Sequence, residues 1–190
     1  MGAATDLTTI QNVKARLRLP GAATSDDSLL ELMITEISLG IQSYLGRTIA
    51  SQNYSDSYDG HGTRRIFFNQ YPVTAVASLT VDGIAIPAAS GPPWANGYVF
   101  DAKSISLYDY RFCRGYSNVQ AAYTAGYAST PGDLEEAVLE VVMTRFKELN
   151  RIGQKTAAVQ GAETASWDLS ALPPTAKLII SQYRRVIPFS

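Results

Sequence analysis

The chain has 190 residues, of which 46% are apolar and 17% are charged, and this predicts one globular domain or one domain with a sizeable insertion. A single cysteine and a single histidine exclude an internal disulfide and a multi-histidine metal site. The net charge of −1 argues against a clustered basic face that binds nucleic acid. The sequence shows neither an apolar run long enough to span a bilayer nor a secretory signal. We therefore expect a cytosolic protein that does not enter a membrane.

The first fifty residues predict two helices. Thr8 and Gln11 fit a capping box for a short helix that ends at Pro20. A second, longer helix is expected to begin near Asp26 and to end at Gly46. With a period near 3.6, its predicted apolar face is Leu29, Leu30, Met33, Ile34, Ile37, Ile41, Tyr44 and Leu45, and its predicted polar face is Glu31, Thr35, Ser38 and Gln42.

The middle of the chain is rich in strand patterns. Asp82-Gly83 between two apolar runs is a strong hairpin signal. Residues 73–81 alternate, and this predicts one inward face made of Val73, Ala75, Ala77, Leu79 and Val81, with Val76 as an exception. The residues between 51 and 127 therefore favour a compact antiparallel sheet or a small barrel-like unit, with a loop at 87–97 and strands at 53–58, 64–70, 73–81, 84–86, 98–100, 104–108 and 119–124.

Helical patterns return after residue 128. Pro131 and the acidic residues that follow it predict a helix start, and Gly153 predicts its end. Residues 154–171 are small and polar and indicate a flexible arm or an edge hairpin, and a last helix from Pro173 to about residue 185 precedes a short apolar tail. The predicted buried positions are Leu134, Ala137, Val138, Val141, Val142, Phe146 and Leu149 in the first of these helices, and Leu178, Ile179 and Tyr183 in the last.

The sequence contains no recognisable set of catalytic residues. His61 lies in a glycine-rich turn without a nucleophile motif, and Cys113 has arginine neighbours but no histidine base, so both are interpreted as structural. The acidic pairs at 26–27 and 135–136 fall in first turns of helices, where the helix dipole explains them. No phosphate-binding glycine loop occurs, and the eleven tyrosines favour core and protein interface over a ligand cage. We therefore predict a non-enzymatic protein without cofactor or metal.

Several stretches, taken in order, carry a family resemblance. They are residues 7–17 (LTTIQNVKARL) with 26–30 (DDSLL) and 41–47 (IQSYLGR), residues 71–83 (YPVTAVASLTVDG), residues 123–127 (YTAGY) with 131–153, and residues 172–185. Together they resemble the head–tail connector, or head-completion adaptor, proteins of long-tailed bacteriophages and prophages. The resemblance covers nearly the whole chain, although each stretch alone also fits ordinary capping, turn or packing chemistry.

The resemblance implies an α+β fold, in which N- and C-terminal helices form a bundle with an inserted antiparallel β-rich unit. The expected organisation is a single subunit with a helical core (1–50 and 128–153), a β-rich insertion (51–127), an arm (154–171) and a C-terminal helix with tail (172–190). It also implies a ring of about twelve copies beneath the portal, which links the capsid to the tail and extends the DNA channel.

The implied partners are the portal, a downstream neck or tail-completion protein, and DNA that passes through without sequence-specific binding. The expected location is the neck of the virion, and the host cytoplasm during assembly. The residues predicted to contact other helices, a neighbouring subunit or the portal are Leu32, Leu39, Leu139, Met143, Trp167, Arg184, Arg185, Ile187 and Phe189. The alternatives are another neck or tail-completion protein, a host- or carbohydrate-binding module in the β-rich segment and, as the weakest, a small hydrolase.

Overall fold

A computed structural model describes residues 5–20, 24–91, 96–151 and 172–185. The chain divides into two compact units. Helices from Met1–Ala50 and Ser129–Arg185 make the first, called the helical unit below, and the strands within Ser51–Ala128 make the second, called the β unit. Helices combined with antiparallel sheets confirm the α+β class that the sequence predicted.

Four helices and seven strands are formed by the described residues. None of these helices is both long and apolar enough to cross a membrane. The helices are α1 (Ile10–Leu17), α2 (Asp27–Leu45), α3 (Gly132–Arg151) and α4 (Pro174–Gln182). The strands are β1 (Gln52–Gly60), β2 (Arg65–Phe67), β3 (Val73–Val81), β4 (Ile84–Ala85), β5 (Gly97–Phe100), β6 (Ser104–Tyr108) and β7 (Gly115–Ala125).

Local signals set the ends of the first two helices. Gly46 ends α2 with a φ of 66°, in the left-handed conformation that glycine adopts without strain. The predicted capping box at Thr8 is wrong by one residue, because the side chain of Thr9 accepts from the backbone N–H of Asn12 at 3.3 Å. The Thr8 hydroxyl instead donates to a carboxylate oxygen of Glu135 at 2.9 Å, so it joins α1 to α3.

The buried face of α2 differs from the predicted one. Ser38 and Gln42, predicted to face solvent, are buried, while Leu29 is 40% exposed. The two polar side chains tolerate burial because they bind backbone groups. Ser38 accepts from the N–H of Leu7 at 3.0 Å, and Gln42 donates to the carbonyl of Thr5 at 2.9 Å. A helical wheel ranks residues by polarity and cannot anticipate such partners.

Two further apolar positions face outward instead of into the helical unit. Leu178 on α4 is 65% exposed, because that helix buries the positions four residues apart, Ala176 and Ile180. Leu149 near the end of α3 is also exposed. The other predicted positions of α3 are buried, and the core of the helical unit consists of Val13, Leu30, Met33, Ile34, Ile37, Ile41, Leu45, Leu134, Ala137, Val138, Val141, Val142, Phe146, Ala176 and Ile180 with their buried neighbours.

The β unit contains two antiparallel sheets that share one hydrophobic core. Their strand orders are β1-β7-β3-β4 and β2-β6-β5, so the strands before and after the glycine-rich turn at His61, β1 and β2, belong to different sheets. The segment after β4 joins the sheets, since Ala89 donates to the carbonyl of Tyr98 and the N–H of Tyr98 donates to the carbonyl of Pro87, both at 2.9 Å. The largest fully buried side chains of this core are Leu79, Ile105, Leu107, Phe112 and Tyr123.

Strand β3 shows one confirmed prediction and one error. Asp82 and Gly83 form the predicted hairpin turn, with φ values of 51° and 77°, and pair β3 with β4. The predicted alternation along β3 is wrong, because Ala75 and Ala77 are exposed. The register against β7 shifts between residues 73 and 75 and again between 76 and 78. Each shift changes which side chains face the core, and this brings Val76, the exception in the pattern, against the core.

Candidate functional site

The loops at one end of the β unit are built around the side chain of Asn118. Its carbonyl oxygen accepts from the N–H of Gly60 at 2.9 Å, and its amide donates to Asp82 and to the carbonyl of Cys113 at 2.9 and 3.0 Å. A Cβ on Gly60 would lie 1.8 Å from that Cys113 carbonyl oxygen, so only glycine fits. Asn118 was missed in the sequence, where the only signal was an asparagine close to a glycine at a strand start.

His61 is exposed in the turn beside this cluster. The nearby carboxylate of Asp59 is a potential orienting group for an imidazole, but it accepts from the backbone N–H of Ser117 at 2.6 Å. That bond ties two loops together and gives Asp59 a structural role. Among the described residues, no carboxylate is hydrogen-bonded to the imidazole of His61 to orient it as a base.

A cleft of about 560 Å³ lies beside the same loops. Cys113 reaches it as an exposed thiol, whose sulfur is 3.8 Å from the carbonyl oxygen of Arg111. The residues around the thiol offer no histidine, so a thiolate–imidazole pair is not formed in this cleft. Within the described ranges, no group of three or more His, Cys, Asp or Glu side chains could hold a metal ion. The lining residues are Arg64, Val81, Asp82, Ile84, Ile86, Asp109, Tyr110, Arg111 and Cys113.

A tyrosine–aspartate network closes the core of the β unit near β1. The phenol of Tyr123 donates to Asp56 at 2.6 Å, the phenol of Tyr58 donates to the same carboxylate oxygen at 3.1 Å, and the amide of Asn69 donates to it at 3.1 Å. The aromatic ring of Phe68 packs on Tyr123 with centroids 4.5 Å apart. The network thus fixes the segment after β2 against β1 and β7, as expected of tyrosines that serve the core.

Burial raises the pKa of both phenols in this network. The pKa of Tyr58 rises to about 12, mainly through desolvation. Desolvation together with the hydrogen bond to Asp56 raises the pKa of Tyr123 further. Both side chains therefore remain protonated near neutral pH and act as hydrogen-bond donors. A tyrosine that serves as a base or nucleophile needs a lowered pKa, whereas the pKa values of these two phenols are raised.

The outward face of α2 carries three leucines in a row along the helix. Leu29, Leu32 and Leu39 are 40%, 56% and 50% exposed. Two of them, Leu32 and Leu39, are among the residues predicted to make contacts beyond the main apolar stripe. The other two predicted helical positions lie on α3, where Leu139 is buried and Met143 is half-buried. Leu139 therefore packs within the helical unit, whereas Met143 keeps part of its side chain at the surface.

The described end of the chain is held against the C-terminal end of α2. The N–H of Arg185 donates to the carbonyl of Leu45 at 2.9 Å, and the guanidinium of Arg184 lies 5.6 Å from the ring centre of Tyr44. The phenol of Tyr183 donates to Asp133 on α3 at 2.6 Å. The two predicted contact arginines therefore lie against the end of α2, with Arg184 exposed and Arg185 half-buried. The predicted contact residues Trp167, Ile187 and Phe189 lie outside the described residues.

Comparisons with known proteins identify the fold and the family of this chain. No curated protein sequence matches the chain. Its fold is similar to that of a chain in the neck of an empty gene transfer agent (GTA) particle computed with C6 symmetry. The TM-score is 0.59, the identity is 18%, and the match covers 100% of this chain and 94% of that one. A chain in the neck of a native GTA particle computed with C12 symmetry gives a TM-score of 0.58, 16% identity and the same coverage.

A further similar chain comes from the virion of a native gene transfer agent particle, with a TM-score of 0.58, 17% identity, and coverage of 100% of this chain and 94% of that one. At these identities the structural likeness shows the fold. The model of the head completion protein family matches residues 6–186, nearly the full sequence. This match confirms the resemblance carried by the sequence stretches, and the chain belongs to the head completion protein family, whose members are structural head–tail connector proteins.

Proposed function

We propose that this chain is a non-enzymatic connector subunit that assembles as a ring of about twelve copies in the neck of a virion. The ring docks beneath the portal, receives the next neck or tail-completion protein, and extends the channel through which DNA passes. The family match over residues 6–186 carries the proposal. The likeness to chains from GTA necks computed with C6 and C12 symmetry supports it, because cyclic symmetry is that of a closed ring.

The distribution of charge supports a channel that DNA crosses without being retained. The formal net charge is −1, and a strongly basic ring would bind the phosphate backbone and slow passage. The β unit follows the same balance, since residues 51–128 contain five basic and five acidic residues. Passage of DNA without sequence-specific binding needs no basic cluster in the subunit.

We also propose that the subunit is a helical bundle with a β-rich insertion. Residues 1–50 and 128–153 form the helical core, residues 51–127 form the insertion, and residues 172–190 form the C-terminal helix and tail. Side chains buried together from all four helices support the bundle. In this proposal the arm at 154–171, which includes Trp167, and the tail, which includes Ile187 and Phe189, contact the portal or a neighbour after assembly in the host cytoplasm.

The test mixes purified full-length chain with portal-containing heads that lack a neck. We expect electron micrographs to show an added collar below the portal. A folded chain that adds no collar at any concentration would overturn the proposed function. Glycan binding by the folded chain in place of collar formation would favour the carbohydrate-binding alternative.

A variant that lacks residues 186–190 tests the docking role of the tail. The shortened chain ends at Arg185, so it keeps α4 and the hydrogen bond from Arg185 to Leu45. We expect this variant to fold with an unchanged far-ultraviolet circular dichroism spectrum and to join heads less efficiently than the full chain. A variant that unfolds, or that adds collars as well as the full chain, contradicts the docking role of the tail.

A further inference from the structure

Helix α2 has apolar side chains on two opposite faces. One face packs into the helical unit, and the other carries Leu29, Leu32 and Leu39, with Glu36 between the second and third leucine. Leu29, Leu32, Glu36 and Leu39 are spaced by three, four and three residues. This is the spacing of a helical seam, in which each successive turn presents one side chain to a partner helix. A row of exposed leucines along nearly three turns indicates a contact surface rather than a solvated one.

The charge of this surface is one-sided. Helix α2 carries Asp27, Glu31 and Glu36 but no lysine or arginine. Asp27 forms an ion pair with Lys14 of α1. Glu36 is exposed and makes no hydrogen bond or ion pair with any other described residue. A partner that covers the leucines must therefore offer a cation to Glu36, because a carboxylate covered by apolar side chains alone would be strongly disfavoured.

Helix α4 of the same chain presents the complementary chemistry. It exposes Leu178 at 65% beside Lys177, and the segment Pro174–Arg185 contains no acidic residue. Lys177 is exposed and has no ion pair among the described residues. Within the chain, this segment contacts α2 at residues 44 and 45, about 13 Å along the helix axis from Glu36. Among the described residues, both the leucine face of α2 and the face of α4 with Lys177 and Leu178 are exposed.

We propose that the leucine face of α2 in one subunit packs against the Lys177–Leu178 face of α4 in the next, with Glu36 paired to Lys177. The inference rests on the proposed ring and names its subunit contact. A closed ring needs two different, mutually complementary patches on each subunit, and these two faces supply apolar area and opposite charge. The occupant of the α2 face is a second copy of this chain. A portal helix or the chain's own tail on that face are outcomes that the test distinguishes.

Charge reversal tests the pair in the full-length chain. The measured quantity is the chain concentration at which half of the portal-containing heads carry a collar. We expect E36K and K177E each to raise this concentration at least about tenfold, as expected for a close interfacial charge pair, and the double variant to return it toward the wild-type value. Glu148→Lys, the same change at another exposed position, serves as the matched control and should leave it unchanged.

Two results would overturn the subunit contact while leaving the proposed function intact. In the first, E36K and K177E form collars at the same chain concentration as the wild type. In the second, the double variant needs as high a concentration as the single variants, and this result would assign the α2 face to the portal or the tail. A wild-type chain that adds no collar overturns the proposed function and the contact with it.

Cross-linking supplies a measurement that does not depend on affinity. In a Cys113→Ser background, Glu36→Cys combined with Lys177→Cys should give a ladder of covalent oligomers when assembled collars are treated with a bis-maleimide cross-linker. The linker has to span the length of the two replaced side chains, because a direct disulfide needs Cα atoms closer than a glutamate–lysine pair places them. Either cysteine alone should give dimers at most. Collars that form without a ladder from the double-cysteine chain would refute the contact.

Discussion

Replacing Gly60 by alanine should strongly destabilise the β unit. The new Cβ would lie 1.8 Å from the carbonyl oxygen of Cys113, whereas real Cβ contacts stay above 3.0 Å. One of the two backbone segments must therefore move by about 1.2 Å. Overpacking of this kind costs about 1–3 kcal/mol, and the shift also weakens the bond from Gly60 to Asn118, worth about 1 kcal/mol. We expect a total loss of about 3 kcal/mol in the free energy of unfolding.

Urea denaturation followed by near-ultraviolet circular dichroism measures this loss. Nine of the eleven tyrosines lie between residues 51 and 128, so that signal reports mainly on the β unit. The matched control is Gly132→Ala, where a Cβ would meet no atom within 4 Å, and its effect should stay within about 0.5 kcal/mol. A Gly60→Ala variant that is as stable as this control would refute the close approach of the two loops.

Two further predictions concern the tyrosine network and the buried serine of α2. Because the pKa of Tyr58 is raised from 10.0 to about 12, its contribution to stability is present below pH 10 and is lost as the pH rises toward 12. Between pH 10 and pH 12 the midpoint of urea denaturation should fall, and it should fall less steeply with pH in Tyr58→Phe than in the wild type. If the midpoint has the same pH dependence in both proteins, the raised pKa of Tyr58 does not contribute to stability. Ser38→Ala leaves the buried N–H of Leu7 without its acceptor and should lower the free energy of unfolding by about 1–3 kcal/mol. Denaturation followed by far-ultraviolet circular dichroism measures this loss, and Ser43→Ala, at an exposed position, should leave the free energy nearly unchanged.

Features that depend on neighbouring residues in the sequence were predictable. The hairpin at Asp82-Gly83 and the end of α2 at Gly46 both use a positive φ that few residue types adopt. The residue types at these positions therefore predict both features. The order of helices and strands followed from hydrophobic periods of the same local kind.

Features that depend on distant partners were not predictable. The two register shifts of β3 arise in its pairing with β7, more than forty residues later in the chain. No residue of β3 marks them except Val76, which broke the expected alternation. Likewise, the single glycine at Gly60 gave no sign that the carbonyl of Cys113 would approach it so closely. Such contacts are fixed by tertiary packing, and a linear pattern carries no information on the partner.

The candidate surfaces were predictable in part. Leu32 and Leu39 were selected because they lie beyond the main apolar stripe of α2, and both are exposed. Leu139 was selected by the same rule but is buried, because α3 packs against helices on more than one side. Periodicity identifies side chains outside one stripe, but it cannot tell a second internal contact from a surface.

The neighbouring residues Ser38 and Leu39 show that α2 is not arranged for the stability of one isolated subunit. Burial of a leucine stabilises a fold by roughly 1.5–3 kcal/mol, and yet the serine is buried and the leucine is half exposed. The N–H of Leu7 explains the serine, because a backbone donor in the core needs an acceptor. Nothing among the described residues explains the leucine, or the two others on the same face. In the proposed ring a neighbouring copy covers this face at every position, and that contact accounts for the exposed leucines.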